Sequence, residues 1–307
     1  MEQFTQAMDR MPQSVMIFGC GYVGTALAAA LLARGVRVGA LTRNSRQVEL
    51  LRSLGVSEVL ESALDDRSWL NQIKGSYESA VNCVSSAGGG IEGYQRSYVE
   101  GQRVILEWAK LRTLDCLVYT SSTSVYPHDG GVLVTEDLDT DGTSATGRIL
   151  VESEGLIQDH KTLFKRYCIL RLAGIYGPQR HYVLDQLRAG TSVMPGRGDY
   201  HLNLIHRDDV VTAILCTLSS AQQVASGIYN LSDGKPPLKQ ELTAYLAAKL
   251  GIAAPVFDPQ LSTPRQQRRG GSMPDRVIAN EKFMQAFNWR PRFCHYREGY
   301  RAILNDG

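Results

Sequence analysis

The chain has 307 residues, of which 43% are hydrophobic and 21% are charged, and its formal net charge is +2. A chain of this length and composition is expected to form one large or two smaller globular domains with a full hydrophobic core. The small net charge gives no support for binding to nucleic acid or to a membrane surface, and no apolar run is long enough to span a bilayer.

The N-terminal residues and the cysteines indicate the compartment. Residues 1–13 carry charges and lack an apolar core, so we interpret them as a frayed N-terminal extension and not as a signal peptide. The six cysteines are scattered, without a Cys-x-x-Cys pair. This distribution is typical of free thiols in a reducing cytosol. We therefore predict a cytoplasmic protein without disulfides or a bound metal.

The first predicted strand, Val15–Phe18, runs directly into the glycine turn Gly19–Gly24, and a helix follows. In such a unit Gly19 permits the tight turn, Gly21 lets the backbone approach a pyrophosphate, and Gly24 lets the helix pack close to the strand. The free N–H groups at the start of the helix attract the anion. The turn therefore predicts binding of an adenine dinucleotide, since packing of a helix on a sheet alone would need fewer glycines.

Predicted helices and strands alternate through the first two thirds of the chain. The further strands are Val36–Leu41, Val56–Leu60, Ala80–Val84, Cys116–Thr120 and Cys168–Leu172, and the helices are Thr25–Arg34, Ser45–Leu54, Tyr94–Leu111 and Ser144–His160. This alternation predicts a parallel sheet covered by helices on both faces. The expected fold class is α/β, a Rossmann-type doubly wound parallel sheet with a smaller C-terminal substrate lobe.

The pattern becomes less regular after Gly177. The predicted strands there are Leu202–His206 and Gly227–Leu231, the predicted helices are Arg207–Ser219, Leu238–Leu250 and Glu281–Phe287, and Pro255–Pro274 is expected to be a long loop. We assign residues 14–177 to a dinucleotide-binding domain, to which some later segments return. Residues 178–307 are assigned mainly to a substrate-binding lobe.

The end of the second predicted strand bears on the choice of dinucleotide. An NAD-selective site usually has an acidic residue there, about twenty residues after the glycine turn, to bind the ribose hydroxyls. This segment, Leu41–Arg46, contains no Asp or Glu. Arg43 and Arg46 could instead bind a 2′-phosphate through charge-assisted hydrogen bonds. We predict NADP in preference to NAD; the alternative is a solvated basic turn at the start of a helix.

Four segments, in order and at the right spacing, carry a resemblance to a known family. They are Gly19–Gly24, Tyr119–Pro127, Arg171–Pro178 and Asn203–Val210. Together they resemble the extended short-chain dehydrogenase/reductase superfamily, and more closely its NAD-dependent epimerase/dehydratase family, which works on nucleotide sugars. The similarity extends from about Ser14 to Leu304.

The resemblance implies a mechanism in which a Tyr moves the proton of a substrate hydroxyl, and a Lys four residues later lowers the pKa of that Tyr. Ser122 matches the hydroxyl residue that assists them. Thr146 stands where the Tyr is expected and Leu150 where the Lys is expected. The chain therefore resembles the atypical branch of the superfamily, which lacks the Tyr-x-x-x-Lys pair. The Gly-x-Gly-x-x-Gly spacing also fits that branch.

The resemblance also implies a set of site residues at the carboxyl edge of the sheet. The expected cofactor contacts are Gly19, Gly21, Tyr22, Val23, Gly24, Thr42, Arg43, Asn44, Ser85, Ser121 and Ala173. The candidate catalytic residues are Ser122, Thr146, Tyr176 and His181, and the candidate substrate contacts are Thr123, Arg148, Arg269 and Arg276. The alternative is loop packing for Tyr126 and Tyr176, a surface or hydrogen-bonded position for His181, and solvation for the arginines, and we expect His206 to orient loops.

Three functions are open from the sequence. The favoured one is an NAD(P)-binding oxidoreductase of the epimerase/dehydratase type, acting with non-standard catalytic residues on a nucleotide-sugar-like or other hydroxylated or carbonyl small molecule. The second is a non-catalytic NAD(P)-binding redox sensor or regulatory protein, and the third is a binding module without cofactor. The family also suggests a homodimer built on the two long helices, Tyr94–Leu111 and Ser144–His160, although both could equally pack within one chain.

Overall fold

A computed structural model describes residues 11–86, 88–219, 224–263 and 273–305. Its strands are β1 (Ser14–Phe18), β2 (Arg37–Thr42), β3 (Glu58–Glu61), β4 (Ser79–Asn82), β5 (Leu114–Ser122), β6 (Val132–Val134), β7 (Phe164–Leu172), β8 (Gly174–Tyr176), β9 (Val193–Pro195), β10 (Leu204–His206), β11 (Gly227–Leu231), β12 (Val256–Asp258) and β13 (Arg276–Ile278).

The helices lie between these strands. They are α1 (Tyr22–Leu32), α2 (Ser45–Ser53), α3 (Gly90–Tyr94), α4 (Gly101–Lys110), α5 (Ala145–Asp159), α6 (Tyr182–Arg188), α7 (Arg207–Ser219), α8 (Lys239–Leu250), α9 (Glu281–Ala286) and α10 (Tyr296–Asn305). A π-helical segment, Gln95–Glu100, joins α3 to α4. Short 3-10 helices are formed by Arg67–Asn71, Thr123–Val125 and Lys161–Leu163.

Seven strands form one parallel sheet in the order β11-β7-β5-β4-β1-β2-β3. The chain builds outward from β1 through β2 and β3, and then returns to the other side of β1 with β4. Phe18 at the end of β1 is accordingly paired with Leu41 of β2 and Asn82 of β4. The order of strands reverses at this point, and a crevice at the carboxyl ends of the strands is where such sheets bind ligands. The predicted fold class is confirmed.

Helices bury both faces of the sheet. On one face α1 packs against α7, and Leu27 and Ile214 are fully buried in a common cluster with the strands. On the other face α4 packs against α5, where Trp108 and Ile157 are fully buried. Each large apolar side chain removed from water contributes about 1.5–3 kcal/mol. These two layers hold the carboxyl edge of the sheet in place.

A second, smaller core stands over the carboxyl edge. It is formed mainly by α6, α8 and α10, with Leu184, Leu246 and Tyr300 among its buried side chains. Three short parallel pairs, β8–β10, β9–β12 and β6–β13, are formed outside the main sheet. No helix of the described residues is both long enough and apolar enough to cross a membrane.

Several predicted boundaries shift in the structure. The first helix was expected from Thr25 and begins at Tyr22, because Gly21 is its N-cap. The predicted long loop Pro255–Pro274 is wrong at its start, where Val256–Asp258 forms β12 on β9; residues 264–272 lie outside the described residues. Of the predicted N-terminal extension, residues 1–10 also lie outside them.

The two halves assigned from the sequence share one sheet. β11, from the C-terminal half, pairs with β7, and α7 covers the same face as α1. The long helices expected at a dimer interface, which became α4 and α5, lie side by side within the chain, with Arg103 Nη2 at 3.2 Å from Glu152 Oε1. The homodimer stays a prediction.

Candidate functional site

The glycine turn has the geometry that its three glycines predict. Gly19 has a φ of +83°, and a Cβ atom on it would lie 2.7 Å from the backbone of Val84. A Cβ on Gly24 would lie 2.8 Å from the carbonyl oxygen of Gly19, so the start of α1 packs tightly on the turn. By contrast, a Cβ on Gly21 would meet nothing within 4 Å. The exposed face of Gly21 therefore leaves room beside the start of α1, where the pyrophosphate is predicted to bind.

Two guanidinium groups flank Tyr22, the first residue of α1. The Tyr22 hydroxyl donates to the carbonyl oxygen of Pro178 at 2.9 Å. Cζ of Arg180 lies 5.3 Å from the ring centroid and Cζ of Arg207 lies 5.2 Å from it. Burial raises the pKa of Tyr22, and the two arginines oppose this rise. Arg207 is also paired with Asp208 Oδ1 at 2.9 Å, and both guanidinium groups stand next to the N-terminus of α1, whose dipole favours an anion.

Arg180 reaches this position through a tight loop. Gly177 and Arg180 exchange two backbone hydrogen bonds, at 3.1 and 3.0 Å. Gln179 between them has a φ of +62°. Arg180 was not predicted from the sequence, because the family motif ends at Pro178 and the loop that returns the chain to Tyr22 has no simple sequence pattern.

The end of β2 leaves its basic side chains in solvent. Thr42 is buried, and its hydroxyl accepts the N–H of Asn44 at 3.3 Å. Asn44 caps α2 by accepting the N–H of Arg46 at 3.1 Å. Arg43 and Arg46 are exposed, and neither forms an ion pair within the described ranges. Their guanidinium groups are thus available to a phosphate at this edge.

The loop after β4 lies against the glycine turn. Asn82, at the end of β4, is fully buried and its amide donates to Gln102 Oε1 at 2.9 Å. Its Oδ1 atom accepts the N–H of Val84 at 3.0 Å, which shapes the start of the loop. Ser85, an expected cofactor contact, is exposed there. The next residue, Ser86, donates its N–H to the hydroxyl of Tyr98 at 3.1 Å.

The hydroxyl residues at the end of β5, Ser121 to Thr123, are engaged within the protein. Ser121 is buried and donates to Glu154 Oε1 at 2.6 Å. The Ser122 hydroxyl caps the following 3-10 turn by accepting the N–H of Ser124 at 3.1 Å. Thr123 is buried and donates to the carbonyl oxygen of Leu172 at 3.3 Å. Of the three, Ser122 is the one that is only partly buried, so its side chain borders the open edge of the sheet.

The two positions of the absent Tyr–Lys pair differ from each other in surroundings. Thr146, in the first turn of α5, is partly exposed, and its hydroxyl lies 3.1 Å from that of Ser144. Leu150 is 2% exposed and packs in a cluster with Val125, Tyr126 and other apolar side chains. A threonine hydroxyl titrates far above neutral pH and a leucine carries no charge. Neither position can perform the proton chemistry of a tuned phenol.

A buried ion pair lies behind the site. Arg171 of β7 donates to both carboxylate oxygens of Glu154 on α5, with Nη2 to Oε2 at 2.7 Å. Its guanidinium also lies 4.8 Å from the ring centroid of Tyr126. The Tyr126 hydroxyl donates to Asn230 Oδ1 at 2.9 Å. Tyr126 thus has the packing role that was one of its two interpretations.

The remaining acid–base candidates lie in or near the smaller core. Tyr176 is 2% exposed and stacks on Tyr300 with ring centroids 4.9 Å apart, and burial raises the pKa of its hydroxyl far above the usual range. His181 Nδ1 lies 2.7 Å from Asp185 Oδ1 on α6. His206 packs on Tyr176 and burial lowers its pKa to about 4. Tyr176 and His206 thus have ring-packing contacts and His181 is paired with Asp185, while the catalytic roles of Tyr176 and His181 stay predictions.

The candidate substrate arginines separate into different surroundings. Arg148 on α5 is exposed, and its Nη1 atom donates to the carbonyl oxygen of Thr143 at 3.0 Å. Arg276 is 5% exposed and donates to the carbonyl oxygens of Thr123 and Tyr126. It therefore ties β13 to the loop after β5, and its expected role as a substrate contact stays a prediction. Arg269 lies outside the described residues.

Val23 and Ala173, two further predicted cofactor contacts, are both buried. Val23 is buried in the first turn of α1, so the part of it that can meet a cofactor is its backbone N–H. Ala173 is buried directly after β7, and its N–H donates to the carbonyl oxygen of Leu231 at 2.9 Å. Among the described residues no group of three or more His, Cys, Asp or Glu side chains is arranged to hold a metal ion.

Comparisons with known proteins agree with this geometry. The model of the NAD dependent epimerase/dehydratase family matches residues 15–232. Protein YeeZ of Escherichia coli is 27% identical over 264 residues, which cover 85% of this chain and 92% of YeeZ. A 3-diazoavenalumate denitrifying reductase of a Streptomyces species is 26% identical, over 93% of this chain and 98% of the reductase.

A solved structure with the same fold is the UDP-glucuronic acid 4-epimerase of Bacillus cereus in complex with UDP-glucuronic acid and NAD. It superposes with a TM-score of 0.80 at 17% identity, and the match covers 95% of this chain and 99% of that one. At this identity the likeness establishes the fold alone.

Proposed function

Because this chain belongs to the NAD-dependent epimerase/dehydratase family, we propose that it is an NADP-preferring oxidoreductase that acts on a hydroxyl or carbonyl group of a small molecule. The observation that carries the proposal is the open backbone at Gly21, where a Cβ would meet nothing within 4 Å while its two partner glycines are tightly packed. A pyrophosphate fits this place because backbone N–H groups and a helix dipole face it.

Specific residues would hold the cofactor. The backbone N–H groups of Tyr22 and Val23 would bind the pyrophosphate, since the N–H of Gly21 is donated to the carbonyl oxygen of Gly19 at 2.8 Å. The guanidinium of Arg180 would add positive charge, whereas that of Arg207 is paired with Asp208 Oδ1 at 2.9 Å. When bound, a nicotinamide cofactor supplies or accepts a hydride. The chain's own task is then to position the substrate and to hold or move a proton on its oxygen.

The proposed preference for NADP rests on the end of β2. Arg43 and Arg46 are exposed, and within the described part of the chain neither is engaged by a carboxylate. A 2′-phosphate is a dianion that a guanidinium can bind through two hydrogen bonds, whereas the ribose diol of NAD usually pairs with a carboxylate. The family description names NAD, so this selectivity is specific to our proposal.

The proposed substrate is a nucleotide-sugar-like or similar hydroxylated molecule. The Bacillus cereus epimerase was solved with a UDP-sugar, which is the reason for naming this class. In this chain Arg148 is exposed beside Thr146 at the start of α5 and could bind an acidic group of the substrate. Ser122 borders the same edge and would donate a hydrogen bond to the substrate oxygen.

A second function is favoured by one observation. Leu150 is 2% exposed in an apolar cluster at the position where the family places its lysine. A chain that keeps the cofactor fold and fills this position with packing could act as a non-catalytic NAD(P)-binding sensor. Turnover of any hydroxyl or carbonyl substrate would exclude the sensor.

Replacement of Arg43 tests the proposal. We expect wild-type protein to bind NADPH more tightly than NADH, and Arg43→Ala to weaken NADPH binding about tenfold with little effect on NADH, since a charged hydrogen bond contributes about 1.5–3 kcal/mol. Arg52→Ala, at the exposed far end of α2, is the matched control. Fluorescence titration measures both affinities. Tighter binding of NADH by the wild type would defeat the NADP preference.

A further inference from the structure

The position of Tyr98 suggests how the chain compensates for its absent tyrosine. Tyr98 lies in the π-helical segment Gln95–Glu100, which interrupts the helical run between α3 and α4. A π-helical turn is rare, costs regular hydrogen bonding and occurs frequently at functional sites. Here it turns the ring of Tyr98 toward α5 and the loop after β4.

Three contacts fix Tyr98 next to the position of the absent pair. Its backbone carbonyl oxygen accepts the hydroxyl of Ser153 on α5 at 2.9 Å. Its ring packs against the apolar cluster that contains Leu150, the residue at the lysine position. Its hydroxyl accepts the N–H of Ser86 at 3.1 Å, in the loop that lies against the glycine turn. The hydroxyl thus stands between the lysine position and the cofactor side of the crevice.

The hydroxyl of Tyr98 keeps a hydrogen to donate. It acts as the acceptor toward Ser86, and within the part of the chain that the structure describes no hydrogen bond uses its O–H as a donor. Burial raises the pKa of Tyr98 to about 12, against the opposing charge of Arg180, so the phenol is protonated near neutral pH. The same guanidinium flanks Tyr22 of the glycine turn. Tyr98 therefore shares the electrostatic surroundings of the proposed cofactor site.

We propose that Tyr98 is the proton donor of this protein, taking the place of the tyrosine that Thr146 has replaced. The inference rests on the proposed oxidoreductase function and assigns its direction as carbonyl reduction. Bound NADPH would supply a hydride by breaking a C–H bond of its nicotinamide and would leave as NADP+. When the hydride forms a C–H bond at the carbonyl carbon, the π electron pair of the C=O bond would move to the oxygen. That oxygen takes the hydroxyl hydrogen of Tyr98, and the resulting phenolate recovers a proton from water.

Comparison of Tyr98→Phe with Tyr94→Phe tests this assignment. Both changes remove one phenol oxygen from the same helical run, and the two rings lie 5.2 Å apart. The probes are NADPH with phenanthrenequinone and with a keto derivative of a UDP-sugar. We expect Tyr98→Phe to lower kcat about 100-fold or more, the range of general acid catalysis, while Tyr94→Phe leaves kcat unchanged. The affinity for NADPH, measured by fluorescence, should be equal in all three proteins.

The outcomes separate the inference from the proposed function. Equal kcat in Tyr98→Phe and wild type would overturn the inference and leave the proposed function standing. Weaker NADPH binding in Tyr98→Phe with kcat unchanged would show a cofactor-positioning residue, which also overturns it. Wild-type protein that binds NADPH and reduces neither probe would contradict the proposed reductase and Tyr98 together, and wild-type protein without NADPH affinity would contradict the cofactor site itself.

Discussion

Asp233 is a single buried carboxyl group that makes the unfolding free energy depend on pH. It lies just after β11, 3% exposed, and its Oδ1 atom accepts the N–H of Lys235 at 3.1 Å. Its Oδ2 atom is buried and has no hydrogen-bond partner among the described residues. Burial, reinforced by the charge of Asp209, raises the pKa of Asp233 to about 7. The folded protein thus holds a proton that the unfolded chain releases near pH 4.

This raised pKa predicts a measurable loss of stability as the pH rises. Between about pH 4 and 7 the folded state binds one proton more than the unfolded state, so this group lowers the unfolding free energy by about 1.4 kcal/mol per pH unit. Asp233→Asn removes this contribution. The unfolding free energy of the variant, relative to that of wild type, should therefore increase as the pH rises from about 4 to 7. Urea denaturation at several pH values measures the difference.

The comparison with wild type also removes competing titrations. Burial lowers the pKa of His206 to about 4. The stability that the neutral His206 contributes is therefore lost as the pH falls from the ordinary histidine pKa toward about 4, and this loss is the same in both proteins. Asp141→Asn, at an exposed site, is the control. If the stability profiles of Asp233→Asn and wild type run parallel between about pH 4 and 7, the carboxyl group of Asp233 is not protonated in the folded protein.

At the scale of single residues, sequence patterns predicted the roles of those residues whose surroundings are set by their neighbours along the chain. The tight turn at Gly19 and the close packing at Gly24 followed from strand, turn and helix in succession, while contact of Gly21 with a pyrophosphate stays a prediction. Tyr98 and Arg180 were missed because they reach the site through a π-helical turn and a non-local loop. Such placements depend on tertiary contacts that local spacing does not encode.

At the scale of elements, the ion pair of Glu154 and Arg171 joins α5 to β7. Both side chains are almost fully buried, at 2% and 5% exposure, and Ser121 of β5 adds a third contact. Removing one charge from such a pair leaves the other uncompensated in a medium of low dielectric constant. The pair therefore fixes the distance between the helix that carries Thr146 and the strand that leads to Ala173.

We expect Glu154→Gln to lower the unfolding free energy by about 3–5 kcal/mol, because the guanidinium of Arg171 loses its counter-charge. Arg103→Ala breaks exposed pairs with Glu100 and Glu152 and should cost no more than about 1 kcal/mol. Urea denaturation at neutral pH compares the two variants. Equal losses of stability would contradict the role of the buried pair.

Long elements were predicted more often than short ones, although the short elements β10 and α9 were also predicted. The strands and helices of the first two thirds follow clear periodic patterns, and α7 was predicted with its exact bounds, Arg207–Ser219. The three-residue strands β6, β8, β9, β12 and β13 were missed, because each offers too few residues for a period and pairs with a distant segment. The helices α6 and α10 in the smaller core were missed as well.

At the scale of the whole molecule, the topology brings distant segments to one crevice. The glycine turn after β1, the loop after β4 and the hydroxyl residues at the end of β5 lie at the carboxyl edge of one parallel sheet, and the loop after β8 contacts Tyr22 there. The family resemblance predicted this arrangement, because the motifs of the family occur in order along the chain. It could not assign a proton donor, because the family's own donor is absent and the replacement comes from another helix.

The central claim is that this crevice holds a nicotinamide dinucleotide over Gly21, and a titration of NADPH into wild-type protein and Gly21→Ala tests it most directly. The added methyl group has open space in the folded chain but would occupy the place of the pyrophosphate. Gly155→Ala, in α5 and equally unobstructed, is the control. We predict saturable binding by wild type and Gly155→Ala, and affinity at least about tenfold weaker in Gly21→Ala at unchanged melting temperature. Absence of binding by wild type, or equal binding by all three, would contradict the claim.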